Sequence, residues 1–244
     1  MKVFLLWASM GAASALAAEP LRFSSGPGQV ALIELYTSEG CSSCPPADQW
    51  LGALRDDPRL WRDFVPVAFH VSYWDSLGWK DRLSSQALTQ RQYAYASSWG
   101  NSRVYTPCFV RNGAEWRPLW GGFTSGGGHP GLLTVEVADG GRCRVLFHNE
   151  GGAGALTGHV AVLGGGLSSR VTAGENSGST LRHEFVVLGL SEAPLAPFGA
   201  AGAVAADLDL PAPQVRDAPR HALAAWVTRG ASPAPLQATG GWLP

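Results

Sequence analysis

Cys41 and Cys44, separated by Ser42-Ser43 and followed by Pro45-Pro46, carry the clearest chemistry in the chain. If a helix starts at the second cysteine, its unpaired N–H groups and the positive end of its dipole stabilise a thiolate. Cys41 is then the favoured nucleophile, and one helical turn brings the Cys44 sulfur beside it to resolve a mixed disulfide. The two prolines fit such a start, because proline in the first turn gives up only N–H groups that have no intrahelical partner. Two other uses compete. A zinc site of this kind needs a second such pair, which the chain lacks, and a single bridge in an exported protein can be a structural staple.

Other residues could join this chemistry. His70 ends an apolar run and has three readings: a hydrogen-bonded core histidine, a neighbour that lowers a cysteine pKa, or a metal ligand with Cys41 and Cys44. The metal set would suit copper or another soft metal. Cys108 is a buried thiol, a third thiol at the redox pair, or the partner of Cys143 in a bridge, which requires Cα atoms within about 7 Å. Trp74 and Trp79, on a loop with Asp75 and Lys80, together with Thr106, are expected to wall a site for peptide or unfolded substrate. The competing reading packs the tryptophans into a domain interface. No nucleophile triad, phosphate loop or dinucleotide fingerprint is present.

These side chains need elements to hold them. The apolar run from Ala31 reads as a strand feeding the cysteine loop. Ala47, Trp50, Leu51 and Leu54 then fall at helical spacing before the Asp56-Asp57-Pro58 breaker. Residues 64–71 read as a second strand, with Pro66 indicating an edge or strand-start position. Ser84 or Ser85 can cap a helix running to about Trp99. Residues 104–110 form a third strand interrupted at Pro107, and Asn112-Gly113 signals a hairpin. Beyond Gly121 the texture changes to short β-prone runs between glycine-rich turns: 132–137, 143–147, 160–163, 181–188, 203–208, 222–227 and, weakly, 236–242. Short strands with regular turns point to a β-sandwich. Residues 195–214 read as an Ala/Pro-rich loop, and 222–227 is equally compatible with a short helix.

The compartment follows from the N-terminus. Lys2, an apolar run from Val3 to Leu16 and the small-residue site Ala15-Leu16-Ala17 form a secretory signal peptide, shorter than the roughly 20 apolar residues a membrane span needs. A soluble periplasmic or secreted protein is expected. With 45% hydrophobic and 15% charged residues among 244, the chain is globular, and its formal net charge of −1 argues against nucleic acid or an anionic membrane as partner.

The segments ALIELYTSEGCSSCPPAD, VAFHVSYWDSLGWKDRLSSQALTQRQYAYA and VYTPCFVRNG, in this order and spacing, resemble the secreted thioredoxin-like family of unknown function, domain of unknown function 1223, of the thioredoxin superfamily. GENSGSTLRHEFVV is similar to that family's C-terminal β region. The resemblance implies a signal peptide over 1–17, an α/β thioredoxin-like domain over 18–123 and a smaller β-sandwich-like domain over 124–244. It implies a redox pair at Cys41 and Cys44, a cis Pro107 opposite them, and Glu34 near the place of a buried acid that moves a proton for Cys44. The chain departs from the family at Cys108, where Gln is usual, and after the hairpin at 115–122. The expected activity is thiol–disulfide exchange with protein or peptide thiols, without a cofactor. Soft-metal delivery and a non-catalytic binding module with a structural disulfide are the competing readings.

Overall fold

The computed structural model describes residues 19–118, 127–199 and 201–244. The expected signal peptide, the second half of the 115–122 departure and the proposed boundary at 123/124 lie outside the described residues. The strands are β1 (Leu21–Ser24), β2 (Ala31–Thr37), β3 (Phe64–His70), β4 (Cys108–Arg111), β5 (Ala114–Trp116), β6 (Gly131–Val137), β7 (Arg142–Asn149) and β8 (Leu156–Gly165). They continue with β9 (Leu167–Arg170), β10 (Thr180–His183), β11 (Val186–Pro194), β12 (Ala196–Pro197), β13 (Ala203–Asp209), β14 (Arg220–Arg229) and β15 (Pro235–Trp242). Two α-helices, α1 (Pro45–Ala53) and α2 (Gln86–Ser98), interrupt the first part.

An α/β thioredoxin-like domain followed by a smaller β-sandwich-like domain is not what the chain forms. Strand makes up 45% of it and helix 15%. Its largest element is one mixed sheet of eight strands, ordered β15-β14-β8-β11-β3-β2-β4-β5. Strands from the second half extend this sheet instead of building a separate sandwich, because β11 runs parallel to β3 and joins it at Val186–Ala68. A second sheet, β1-β6-β7-β13-β12, packs on β8 and β14. β14 serves both layers: Ala222, Ala224 and Trp226 point into the core that contains β2 and β3, while Leu223, Ala225 and Val227 point to the second sheet. That period-2 alternation makes residues 222–227 a strand, not a helix.

Local signals explain the elements that hold the cysteines. Ser85 has extended backbone angles, and its hydroxyl accepts from Leu88 N–H, capping α2. Asn112 (φ 48°) and Gly113 (φ 88°) make the hairpin between β4 and β5. Pro66 is compatible with an interior strand, contrary to the edge expected for it. The Ala68 N–H donates to Phe185 O toward β11, so Pro66, two residues earlier, faces the same side beyond the only bridge there. The run 181–188 is divided by Phe185 (φ 57°) into β10 and β11, which belong to different sheets.

Candidate functional site

β2 ends at Thr37, and Ser38-Glu39-Gly40 carries the chain to the cysteines. Cys44 is the N-cap of α1, with Pro45 and Pro46 in the first turn. Its carbonyl accepts from Ala47 N–H (2.9 Å) and Asp48 N–H (3.1 Å), which aligns the first helical turn behind the pair. Cys41 and Cys44 form a disulfide with Cα atoms 5.4 Å apart. Both residues are fully buried, whereas Ser42 and Ser43 are exposed.

A loop from the second half covers this turn. Asn176, between β9 and β10, donates from Nδ2 to the carbonyls of Glu39 (2.9 Å) and Cys41 (3.0 Å). Glu175 accepts from the exposed Ser42 N–H at 3.0 Å, and the Ser42 side chain first, then this backbone bond, hold its carboxyl below its usual pKa. On the other flank Gly40 lies so close to Trp74 that an added Cβ would stand 3.0 Å from the Trp74 Cβ. Trp74 Nε1 in turn donates to Thr106 Oγ1 at 2.8 Å, next to the cis Thr106-Pro107 bond. Trp74 therefore adjoins the cysteine turn and ties it to Thr106. Trp79 donates from Nε1 to Glu39 Oε2 at 2.7 Å and packs against the covering loop at Gly174.

Glu34 is elsewhere. Alternation along β2 sends Thr37 toward α1, where its hydroxyl donates to Asp48 Oδ2 at 2.8 Å, and Glu34 toward α2. There Glu34 pairs with Arg91 (2.7 Å) and accepts from Tyr36 (2.9 Å) and Tyr95 (2.5 Å). Cys108 is opposite Tyr36 in β4 and shares that α2-facing side, while its neighbour Phe109 meets Trp50 of α1. Burial pushes the Cys108 thiol up to about 11. Cys143, in β7, belongs to a different core cluster, and burial pushes its thiol up to about 12. Both are free thiols, so no bridge joins them.

Among the described residues His70 groups with Asp48 and His183, in a buried polar cluster. Its Nδ1 lies 2.6 Å from Asp81 Oδ2, and Asp81 also accepts from Glu39 N–H (3.0 Å) and Leu83 N–H (2.8 Å). The ring of His183, from β10, is 4.9 Å from that of His70 at 84°. His183 Nε2 is 3.4 Å from Glu39 Oε1, and its Nδ1 is 3.6 Å from Asp48 Oδ1. Burial opposes charge on His183, but Asp48 and Glu39 outweigh it and raise its pKa to about 10. Burial likewise works against the Glu39 and Asp81 carboxylates, and their histidine partners reverse it, lowering both.

Sequence reasoning missed Glu39, Asp48, Asp81, Asn176 and His183. The usable signals were Asp48 one helical turn after Cys44 and the GENSGSTLRH segment, whose resemblance had been noted without a role for its side chains.

Residues 32–120 match the family described as protein of unknown function (DUF1223). That stretch holds Cys41, Cys44, His70, Asp81 and Thr106-Pro107, but neither Asn176 nor His183. No curated protein matches the chain. The crystal structure of protein AGR_C_4864 from Agrobacterium tumefaciens is similar at 24% identity and TM-score 0.54, covering 88% of this chain and 94% of that one. HBP35 of Porphyromonas gingivalis is similar at 14% identity and TM-score 0.62, covering 90% of this chain and 76% of that one. Both likenesses are of fold alone.

Proposed function

We propose that the chain is an exported thiol–disulfide oxidoreductase working through Cys41 and Cys44. The observation that carries the reading is the disulfide itself, closed across the turn that leads into α1, with Cys44 as the helix N-cap. In the reducing direction a Cys41 thiolate attacks a substrate disulfide and releases one substrate thiolate. Cys44 then attacks the Cys41 sulfur, releases the second thiolate and recloses the Cys41–Cys44 bond, passing two electrons to the substrate. The reverse sequence oxidises a dithiol. Trp74, Thr106 and Pro107 would contact the partner polypeptide, and Asn176 and Glu175 would lift for a sulfur to be reached. An oxidising compartment beyond the inner membrane suits both the formed bridge and the apolar leader.

Complete burial of both cysteines favours one second reading, a binding module in which the bridge is a staple. Insulin-disulfide reduction separates the two. Turnover abolished in Cys41→Ser supports exchange, and equal rates with and without Cys41 leave only the staple.

A further inference from the structure

We propose that Asp48, His70 and His183 form a binding site for a divalent first-row transition metal of the zinc type, independent of the thiol chemistry at Cys41 and Cys44. The three offer one ligand atom each, all within 4.8 Å of one another, from three buried residues. They converge from separate elements, α1, the end of β3 and the end of β10, so the fold rather than a local loop brings them together. Two imidazoles and a carboxylate are a donor set suited to zinc, cobalt or ferrous iron.

The hydrogen bonding around the histidines is that of a ligand set. His70 is wholly buried with its Nδ1 committed to Asp81, which fixes the ring and leaves Nε2 without a hydrogen-bond partner among the described residues. A histidine whose far nitrogen is held by a carboxylate is the usual arrangement around a bound metal. His183 is 2% exposed, and neither of its nitrogens makes a hydrogen bond of good geometry. Glu39 Oε1, also buried and unbonded, lies 3.4 Å from His183 Nε2 and offers a further oxygen. Buried groups of this kind are costly to leave unpaired.

Charge points the same way. Asp48, Glu39 and Asp81 are three buried carboxylates, and among the described residues their ion pairs are with histidine alone, with no lysine or arginine. A cation at this point neutralises these acids. Access exists: a cavity of about 280 Å³ between α1 and β10 is lined by Asp48 and His183.

The test is Co²⁺ and Zn²⁺ titration of metal-free protein whose Cys41–Cys44 bond is kept oxidised, so that no thiolate of the pair can ligate. One ion per chain is expected, with visible Co²⁺ absorption. Affinity should fall at least 100-fold in His183→Ala and in the near-isosteric Asp48→Asn, and about 10- to 100-fold in Asp81→Asn, which only orients His70. A Cys41→Ser/Cys44→Ser double variant should bind as the parent does. Where a variant fails to fold, X-ray absorption of the zinc-loaded parent decides, with a nitrogen and oxygen shell expected. Failure of the parent to take up metal, unchanged binding in His183→Ala and Asp48→Asn, or a sulfur shell would each overturn the site. None of these outcomes bears on insulin reduction, so the two proposals fail separately.

Discussion

Glu34 and Arg91 form a buried ion pair, Oε2 to Nε at 2.7 Å and Oε1 to Nη2 at 3.1 Å, on the side of β2 that faces α2 and away from the cysteine turn. The acid expected to move a proton for Cys44 is therefore engaged by a guanidinium and two tyrosines. Glu34→Gln leaves the Arg91 charge buried with half a partner, and removal of one member of such a pair costs about 3–5 kcal/mol. The expected result is a lowered urea midpoint with an unchanged exchange rate per folded molecule. A loss of exchange at full stability would return Glu34 to the redox step.

The covering loop should govern access to the disulfide. Asn176→Ala removes both side-chain hydrogen bonds to the Glu39 and Cys41 carbonyls. Reduction of the Cys41–Cys44 bond by dithiothreitol, followed by alkylation of the released thiols, should run several-fold faster in the variant. An identical rate would mean that the loop does not control access.

Cys108 and Cys143 should be silent in the folded protein. Both are buried, and burial raises their thiols to about 11 and about 12, so almost no thiolate is available near neutral pH. Ellman's reagent should find no fast-reacting thiol in the native oxidised chain and two after unfolding in urea.

The cysteine turn was legible because its determinants are local: an apolar strand, the Cys-x-x-Cys spacing and two prolines at a helix start. The hairpin at Asn112-Gly113 was legible for the same reason, whereas the cis bond before Pro107 was expected only from the family resemblance. The face of Glu34 was not, since a shift of one residue along a strand reverses the side chain. Nor was the eight-stranded sheet, because the pairing of β11 with β3 joins residues more than a hundred positions apart, and local periodicity cannot report it. His183 reaches Asp48 through that same long-range assembly, so its role could not be read from its own neighbourhood.

A pH dependence of stability should come from His159. Burial first, then the charge of Arg91, holds its pKa down at about 3, against about 6.5 for an unfolded chain. Its ring stacks on Trp226 at 5.2 Å, and its Nε2 meets Thr228 Oγ1 at 2.9 Å. Below pH 6.5 the unfolded chain binds a proton here that the folded chain refuses. This contribution is complete above pH 6.5 and is lost as pH falls toward 3, by about 1.4 kcal/mol per unit. Urea unfolding between pH 7 and 4 should show a shallower loss in His159→Phe, which keeps the stack and cannot titrate. Equal slopes in parent and variant would assign the acid sensitivity to other groups.

Oxidoreductase activity requires the Cys41–Cys44 bond to open and close in exchange with protein thiols. Its most direct test is redox titration of this pair against glutathione and dithiothreitol buffers, read by alkylation of Cys41. A reduction potential above about −300 mV, with both redox states populated reversibly, is the expected result. A potential well below that value, with Cys41 unreactive toward glutathione, would make the bridge a staple and rule out exchange.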